Sequence, residues 1–595
     1  MKKLLQFMFI FLLFAEAVGQ VIVPGIETNT QVVKRQNIET PGKIQSILNS
    51  NNSQYELIYD TTKWSSLIDV AWGEGIPTNE KLAIFDHYWD TISTTYASFP
   101  NLRPLNWDSA ATALRSLIAQ GVSRGRFLSI MNQLQFHLND GHTIFRDFEI
   151  YYSDLYPGLP LVNPEGHYNF AGCLTILPDS TALVYSSVPN NVFNLKAGDI
   201  ILGYNNIPLK NLAQEIIKHQ IPVQHTIGST YEATWHNLLI HVASSWNLFD
   251  TINILKYNGE IENYPANLMI GKQYISDCYE IIPPKGIRLP RYMQLINRGN
   301  QFAYGVIPST NIGYVSMMDC LEFSGDSLYK IFKYFAEVQN VDGIILDIRT
   351  NFGGSISAFA KAFAYIYDED LINWFACADR VNSTDRFLLK EDKWTYGYNL
   401  YQDDNFYFDK PIALLTGPNA ISAGDVLTTY FKNHKRLKIF GKPTAAAFGA
   451  VLLVDINQQG KYLATMQSGN FFLLSEKDKY LSHSTLEIDF PVWLSKDGAH
   501  NGEDDVINSA VNWINSSTDI TDEYSDNSEF MIFPNPVSNM LNVKNYKPDG
   551  LVQIYNILGV KVIETEISDR IDISELPTGL YIIRSNGQSR KFIKN

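Results

Sequence analysis

The chain has 595 residues, of which 45% are hydrophobic and 13% aromatic, and its formal net charge is −15. This length exceeds what one hydrophobic core usually supports, so several domains are expected. The composition is that of a folded protein. The acidic balance excludes a nucleic-acid-binding protein, because such proteins need a basic surface to neutralise phosphates.

The first 19 residues have the features of a secretory signal peptide. Lys2 and Lys3 precede an apolar run over residues 4–13, and Ala17-Val18-Gly19 is a small-residue cleavage pattern. The run is too short for a permanent membrane span, and no later segment is as apolar, so we expect an exported product without a membrane anchor.

The four cysteines are widely separated and form no close pair. They therefore indicate neither a disulfide framework nor a structural zinc site, and we expect buried free thiols. The residues concerned are Cys173, Cys278, Cys320 and Cys377.

Hydrophobic periodicity divides the rest of the chain. Apolar residues recur every three or four positions between residues 79 and 138, which predicts a helical N-terminal domain over residues 20–150. Short β-branched and aromatic runs predict a β-rich domain over residues 151–295. Residues 296–515 alternate strand and helix patterns and predict an α/β domain. Its near-continuous apolar runs, typical of strands buried on both faces, are Ile312–Met317, 343–348 and Ile412–Thr416.

The composition changes after Trp513. Residues 516–529 contain five acidic residues and no Lys or Arg, which predicts an exposed linker over residues 516–530. Residues 531–595 combine strand patterns with turn signals and predict a small C-terminal β-sandwich.

Ser422 is the candidate nucleophile. The apolar strand Ile412–Thr416 leads into the turn Gly417-Pro418-Asn419, and Ser422 then opens a helix. Free N–H groups and the dipole at a helix N-terminus favour developing negative charge. The alternative is a capping box, in which Ser422 and Asp425 only terminate the helix.

Gly353, Gly354 and His142 complete the candidate site. The glycine pair follows the strand at residues 343–348, and adjacent glycines allow backbone N–H groups to approach a substrate oxyanion. The alternative is a plain glycine turn. His142 follows Gly141, a natural helix stop, so this histidine could instead serve only to bind helix carbonyl groups.

Together and in this order, these segments resemble the tricorn and C-terminal processing family of serine peptidases over roughly residues 75–515. Three segments are similar to motifs of this family. The histidine motif of the tricorn-like branch is similar to Asp140-Gly141-His142-Thr143, and the strand and glycine-pair motif is similar to residues 343–354. The nucleophile motif is similar to Ser422-Ala423-Gly424-Asp425. Residues 195–201 are similar to the carboxylate-binding loop of a PDZ domain. The resemblance implies a PDZ-like domain over residues 151–295 and a crotonase-like catalytic domain over residues 296–515.

The resemblance also implies which group acts as the base. The processing branch uses a lysine at the position that Ala447 occupies here, and Lys442 lies out of frame. The tricorn-like mechanism is therefore favoured, with Ser422 as nucleophile and His142 as base. Its oxyanion donors would be the N–H groups of Ala423 and of Gly353 or Gly354. Glu487 would orient His142, with Asp489 as its rival, although a carboxylate on an edge strand explains either residue equally well.

The C-terminal segment resembles the sorting domain of the type IX secretion system. The similarity rests on Phe533-Pro534-Asn535-Pro536, residues 576–583 and the ending 591–594. It implies the type IX machinery as a partner and a secreted or cell-surface location, reached through the periplasm of a Gram-negative bacterium. An immunoglobulin-like adhesion module is the alternative.

The sequence therefore predicts a secreted serine peptidase that hydrolyses a peptide or protein substrate with no metal or other cofactor. Two alternatives remain. One is a catalytically silent peptide- or ligand-binding protein on the same scaffold, and the other is a surface adhesin or glycan-binding protein.

Overall fold

The computed structural model describes residues 61–151, 170–290, 302–518 and 531–595, apart from gaps at 103–105, 224–227, 271, 273, 275–276, 368–369, 371–374, 382–384, 391–393, 397–407, 433–435, 457–460, 477–478, 534–536, 545–550, 557–559, 567 and 586–587. The predicted signal peptide and residues 519–530 of the predicted linker lie outside this range. The chain forms two compact units, which divide between Asp519 and Ile520. In the described residues, no helix combines the length and apolarity needed to cross a membrane.

The helices of the larger unit are α1 (Thr61–Trp72), α2 (Thr78–Thr95), α3 (Trp107–Ala119), α4 (Arg124–Leu138), α5 (Phe148–Tyr151), α6 (Leu209–Lys218), α7 (Tyr231–Ser244), α8 (Glu322–Lys333), α9 (Ser357–Ala364), α10 (Ala423–Thr429), α11 (Lys496–Asn501) and α12 (Asp505–Thr518). Helix α12 extends to Thr518 and so includes residues 516–518 of the predicted linker.

The strands of the larger unit are β1 (Phe145–Asp147), β2 (Gly172–Ile176), β3 (Ala182–Ser187), β4 (Ile200–Tyr204), β5 (Ile207–Pro208), β6 (Thr251–Leu255), β7 (Ile261–Pro265), β8 (Phe302–Val306), β9 (Ile312–Met317), β10 (Gly343–Asp347), β11 (Phe375–Ala378), β12 (Trp394–Tyr396), β13 (Ile412–Thr416), β14 (Leu437–Gly441), β15 (Ala450–Leu453), β16 (Tyr462–Ser468) and β17 (Asn470–Leu473).

A five-stranded sheet of order β14-β13-β10-β9-β8 positions the candidate site. Strands β14, β13, β10 and β9 are parallel, while β8 runs antiparallel to β9. Strands β9, β10 and β13 are buried along their whole length, as the apolar runs predicted. Because parallel strands end at one edge, the segments after β10 and β13 meet there. These segments carry the glycine pair and Ser422.

The N-terminal helices share a hydrophobic core with part of the segment predicted as the α/β domain, residues 296–515. Strand β1 pairs antiparallel with β16, and β16 also pairs with β15. Side chains of α2, α3 and α4 pack in one cluster with Tyr462, Ala464 and Met466 of β16. This core therefore spans the two regions predicted as 20–150 and 296–515, and it holds the segment containing His142 against the predicted α/β domain.

The β-rich region contains a six-stranded sheet in which β2, β3, β4, β6 and β7 are neighbours in that order and β5 pairs with β4. Helices α6 and α7 pack in its core. A disulfide joins Cys173 of β2 to Cys278. The expectation of free thiols is thus wrong for this pair, because the fold brings together residues 105 positions apart. Cys320 and Cys377 are buried free thiols, as expected.

The smaller unit is all β in its described residues. Its two sheets have the orders β18-β19-β22 and β21-β20-β23-β24, and their apolar faces share one core. The strands are β18 (Met531–Phe533), β19 (Met540–Lys544), β20 (Leu551–Asn556), β21 (Lys561–Glu566), β22 (Arg570–Asp572), β23 (Gly579–Ser585) and β24 (Gln588–Lys594).

Candidate active site

Ser422 occupies a strained turn between β13 and α10. Its backbone has φ 63° and ψ −115°, a left-handed conformation that is uncommon for a residue other than glycine. Such strain persists only where the surrounding structure enforces it, and it is characteristic of a nucleophile held at a strand-to-helix turn. The side chain is half-buried.

Asp425 holds this turn in place. One carboxylate oxygen accepts the N–H groups of Ser422 at 2.7 Å and Ala447 at 3.1 Å, and the other accepts the N–H of Ala446 at 2.7 Å. Burial raises the pKa of Asp425 to about 7, although these donors act in the opposite direction. The capping interaction expected from Ser422 and Asp425 thus includes a link to residues 446 and 447 that the sequence did not reveal.

Gly353 lies directly against Ser422. Its φ is 83°, and a Cβ atom there would lie 2.6 Å from both the Ser422 Cβ and the Ile421 carbonyl oxygen. The same atom would lie 3.1 Å from the Ala423 nitrogen. The glycine is therefore required for close approach of the two segments.

The backbone donors around Ser422 differ in availability. The N–H of Gly353 donates to the Asn351 side chain at 2.9 Å, so it is not free to bind an oxyanion. The N–H groups of Gly354 and Ala423 have no acceptor among the described residues. Of the two glycines that the sequence offered, Gly354 is the one with an open donor.

The segment around His142 lies beside the nucleophile turn. A Cβ atom on Gly141 would lie 3.2 Å from Ile421 Cδ1 and 3.3 Å from Ala447 Cβ. Helix α4 ends at Leu138 and is capped by Asn139, whose φ is 48°. The prediction that Gly141 stops the helix is therefore wrong, since Asn139 adopts the left-handed conformation and Gly141 serves close packing.

His142 itself is buried, with an exposed fraction of 2%. Its backbone N–H donates to Asp140 at 2.7 Å, and its carbonyl accepts the Thr465 hydroxyl at 2.8 Å. Its Nδ1 atom has no hydrogen-bond partner within the described part of the chain, and no described hydrogen bond joins His142 to Ser422. Burial lowers the pKa of His142, and Asp140 opposes that shift.

The structure does not bring Glu487 to His142. Glu487 is exposed and forms no hydrogen bond or ion pair with the described residues. Asp489 pairs with Lys438 at 3.1 Å and accepts the Ile439 N–H at 2.9 Å, which anchors it at the edge of β14. Asp489 is thus an exposed carboxylate beside the edge strand β14, and neither it nor Glu487 lies on a strand.

Lys442 is also directed away from the nucleophile. Its amine donates to the Ile176 carbonyl at 2.9 Å and lies 4.7 Å from the centre of the Trp493 ring. Burial lowers the pKa of Lys442 to about 8. Ala447, at the position of the processing-branch lysine, is buried in an apolar cluster with Ile421.

A buried ion network fixes the start of the glycine segment. Arg349 pairs with Asp347 at 2.7 Å and Asp504 at 2.9 Å, and all three side chains are buried. Arg349 also donates to the Glu280 carbonyl at 3.1 Å. The Asp-x-Arg pattern was visible in the sequence, but its partner Asp504 lies 155 positions from Arg349 and had no local signal.

His483 is the residue near the site that sequence reasoning missed. Its Nε2 atom lies 2.8 Å from the Tyr96 hydroxyl, which in turn lies 2.7 Å from an Asp140 carboxylate oxygen. Its Nδ1 atom lies 2.8 Å from the Ser229 carbonyl oxygen. No motif marks His483, and only its left-handed backbone, with φ 63°, singles it out. The described residues include no group of three or more His, Cys, Asp or Glu side chains placed to hold a metal ion.

Comparison with protein families matches two segments of the chain. Residues 311–477 match Peptidase family S41, and residues 531–595 match the Secretion system C-terminal sorting domain. The sorting tail indicates export of the protein. Comparison with curated proteins gives no significant match.

Solved structures with a similar fold include mature CPAF, with a TM-score of 0.50 and 12% sequence identity over 74% of this chain and 96% of that one. The tricorn protease matches at a TM-score of 0.36 and 12% identity over 74% of this chain and 37% of that one. The photosystem II D1 C-terminal processing protease matches at 0.34 and 15% identity over 70% and 94%.

These matches coincide with the segments that carry the site. The S41 match contains the glycine pair and Ser422, while the segment of His142 precedes it. The chain is therefore a peptidase of the serine type, with an S41 domain as its catalytic part and a secretion sorting domain at its C-terminus.

Proposed function

We propose that this protein is a secreted serine peptidase in which Ser422 is the nucleophile and His142 the general base. The observation that carries the proposal is the strained backbone of Ser422 at the start of a helix, with Gly353 so close that an added Cβ atom would lie 2.6 Å from the Ser422 Cβ. A serine that served only as a cap would need neither the strain nor a glycine held against it.

The chemistry follows from the donors and the base. Neutral His142 takes the Ser422 proton, and the Ser422 oxygen attacks the scissile carbonyl carbon. The N–H groups of Ala423 and Gly354 bind the oxyanion that forms. His142 then gives its proton to the leaving amine and activates the water that hydrolyses the acyl-enzyme. We expect the hydrogen bond between His142 and Ser422 to form in the substrate complex, since such bonds are often long without substrate.

A catalytically silent binding protein is the second candidate. The exposed position of Glu487 and the lack of a described hydrogen bond between His142 and Ser422 favour it. The same cleft would then hold a peptide without cleaving it. The strain at Ser422 argues against this candidate, because a binder gains nothing from an activated serine.

The remaining regions suggest how the enzyme is delivered and how it binds substrate. We infer that the sorting domain directs the enzyme through the periplasm to the type IX machinery, which releases it or leaves it on the cell surface. The β-rich region would act as a PDZ-like module for peptide termini, and residues 296–515 as a crotonase-like catalytic domain.

Labelling with a fluorophosphonate probe tests the proposal. Wild-type enzyme and a Ser484→Ala control should be labelled, since Ser484 is an exposed serine of the same unit. Ser422→Ala should not be labelled, and its hydrolysis of a peptide library should fall by at least about 10³-fold. Failure to label the wild type would favour the binding protein. Hydrolysis by Ser422→Ala within about tenfold of wild type would remove Ser422 from the mechanism.

A further inference from the structure

Three buried polar groups form a chain beside His142. The Tyr96 hydroxyl lies 2.7 Å from one Asp140 carboxylate oxygen and 2.8 Å from His483 Nε2. The opposite ring nitrogen of His483 lies 2.8 Å from the Ser229 carbonyl oxygen. Tyr96 and Asp140 are fully buried, and the His483 side chain is 6% exposed.

If every one of these contacts is a hydrogen bond, the three groups must share one proton. A carbonyl oxygen only accepts, so His483 Nδ1 must carry a hydrogen. The Tyr96 hydroxyl has one hydrogen for two contacts. Either it donates to ionised Asp140 and His483 is an imidazolium, or it donates to neutral His483 and Asp140 is protonated. Both arrangements satisfy every contact with one proton more than an ionised aspartate and a neutral histidine would hold.

Asp140 connects this group to the catalytic base. Its other carboxylate oxygen accepts the backbone N–H groups of His142 at 2.7 Å and Thr143 at 2.8 Å. The charge of Asp140 acts directly on the His142 ring and favours its protonated form. The balance of charge in the chain of groups therefore determines the field that His142 experiences.

His483 is also tied to the nucleophile turn. Its backbone N–H donates to the Ala446 carbonyl at 3.2 Å, and the Ala446 N–H donates to Asp425, which holds Ser422. Ser422, Ala446 and His483 all have positive φ angles, of 63°, 56° and 63°. Strained residues that are linked by hydrogen bonds indicate that the fold enforces this arrangement.

We propose that Tyr96, Asp140 and His483 form a proton-sharing relay that sets the charge beside His142 and thereby the pH range in which His142 can act as a base. This inference rests on the proposed function for its catalytic consequence. Tyr96, Asp140 and His483 are positioning residues in this scheme, because they act on the substrate only through His142. When the relay holds its shared proton it is neutral overall, and when it loses the proton a negative charge remains beside His142.

Few titratable groups in the described structure act electrostatically on Asp140, His142 or His483. Apart from the relay and His142, Tyr88 faces Asp140, and its hydroxyl donates to the Thr465 carbonyl at 2.8 Å. Burial and Asp140 raise the pKa of Tyr88 and of Tyr96 well above the usual value, so both remain neutral. Burial lowers the pKa of His483, and Asp140 opposes that shift. The two tyrosines therefore carry no charge beside His142.

Two substitutions should move the His142 titration in opposite directions. His483→Gln removes the group that compensates Asp140, so the negative charge persists and the midpoint should rise by at least about half a pH unit. Asp140→Asn removes the negative charge, so the midpoint should fall. His87→Gln is the matched control, because it removes an imidazole whose hydrogen-bond partner among the described residues is the Asp455 carbonyl, away from the relay.

The experiment measures the midpoint of the acidic limb in the pH profile of kcat/KM. It also measures the midpoint of the NMR titration of ¹⁵N-labelled His142 in the full-length protein. Opposite shifts of the two variants, with no shift in His87→Gln, are expected in both. The NMR readout needs no catalysis, so it decides the relay even if Ser422 proves inert. Lower activity at every pH with unmoved midpoints would reduce these residues to structural supports and overturn the relay. If the fluorophosphonate probe does not label the wild type but the NMR midpoints of the two variants shift as expected, only the peptidase assignment is overturned.

Discussion

Replacing Gly353 with alanine should disable the enzyme while leaving it folded. The new Cβ atom would lie 2.6 Å from Ser422 Cβ and from the Ile421 carbonyl oxygen, whereas ordinary contacts begin at 3.4 Å. The two segments must therefore separate by about 0.8 Å. Displacements near 1 Å at a reacting centre cost on the order of 10²-fold in rate, and loss of an oxyanion donor costs about 10²- to 10³-fold.

The expected result is a fall in kcat/KM of about 10²- to 10³-fold, equivalent to about 2.7–4 kcal/mol of transition-state stabilisation. Alanine at φ 83° also costs about 1–2 kcal/mol of folding free energy. Gly286→Ala isolates that second cost, because Gly286 has φ 89° and open space within 4 Å of the added atom.

The assay compares kcat/KM and thermal unfolding of both variants with wild type. Gly286→Ala should lose stability and keep activity, while Gly353→Ala should lose far more activity than its stability explains. Equal kcat/KM in the two variants would refute the idea that close approach of Gly353 to Ser422 is needed for catalysis.

Four further predictions concern the proposed base, Asp425, the disulfide and the C-terminal unit. Because burial lowers the pKa of His142 and the base must be neutral, kcat/KM should rise with pH through a midpoint below about 6.5, and a midpoint above about 8 would point to a lysine base instead. The raised pKa of Asp425 means that the folded state binds its proton more tightly, so thermal stability should fall as pH rises from about 4 to about 7, and Asp425→Asn should remove this slope. Replacing both Cys173 and Cys278 with alanine should destabilise the β-rich region by up to about 4.7 kcal/mol in urea unfolding, since the bond closes a loop of more than 100 residues, and unchanged unfolding would contradict this. A chain ending after Thr518 should retain the kcat/KM of the full chain but stay in the periplasm, whereas a chain lacking α12 should not fold because Ile514 belongs to the core.

Local patterns accounted for the strands around the site. The predicted bounds of β9 and β13 agree with the structure because both strands are apolar throughout and end at a change of composition. The end of α4 was predicted less well, because Asn139 and Gly141 both suit a helix terminus and only the backbone angles distinguish them. The sequence also could not show which glycine of the pair has a free N–H group, since the hydrogen bond from Gly353 to Asn351 depends on the folded turn.

The sequence by itself determined the order of the elements and the position of Ser422 between a buried strand and a helix, because periodicity and turn chemistry act over a few residues. The secretion tail was identified from its resemblance to a known sorting domain. Only the tertiary structure decided which distant side chains meet. Tyr96 reaches His483 across 387 positions, and Cys173 reaches Cys278 across 105. Glu487 is the opposite case. Its place in the sequence suggested that it would pair with His142, but the fold leaves it exposed. The physical reason is that burial and proton sharing depend on packing between elements, which no short stretch of sequence encodes.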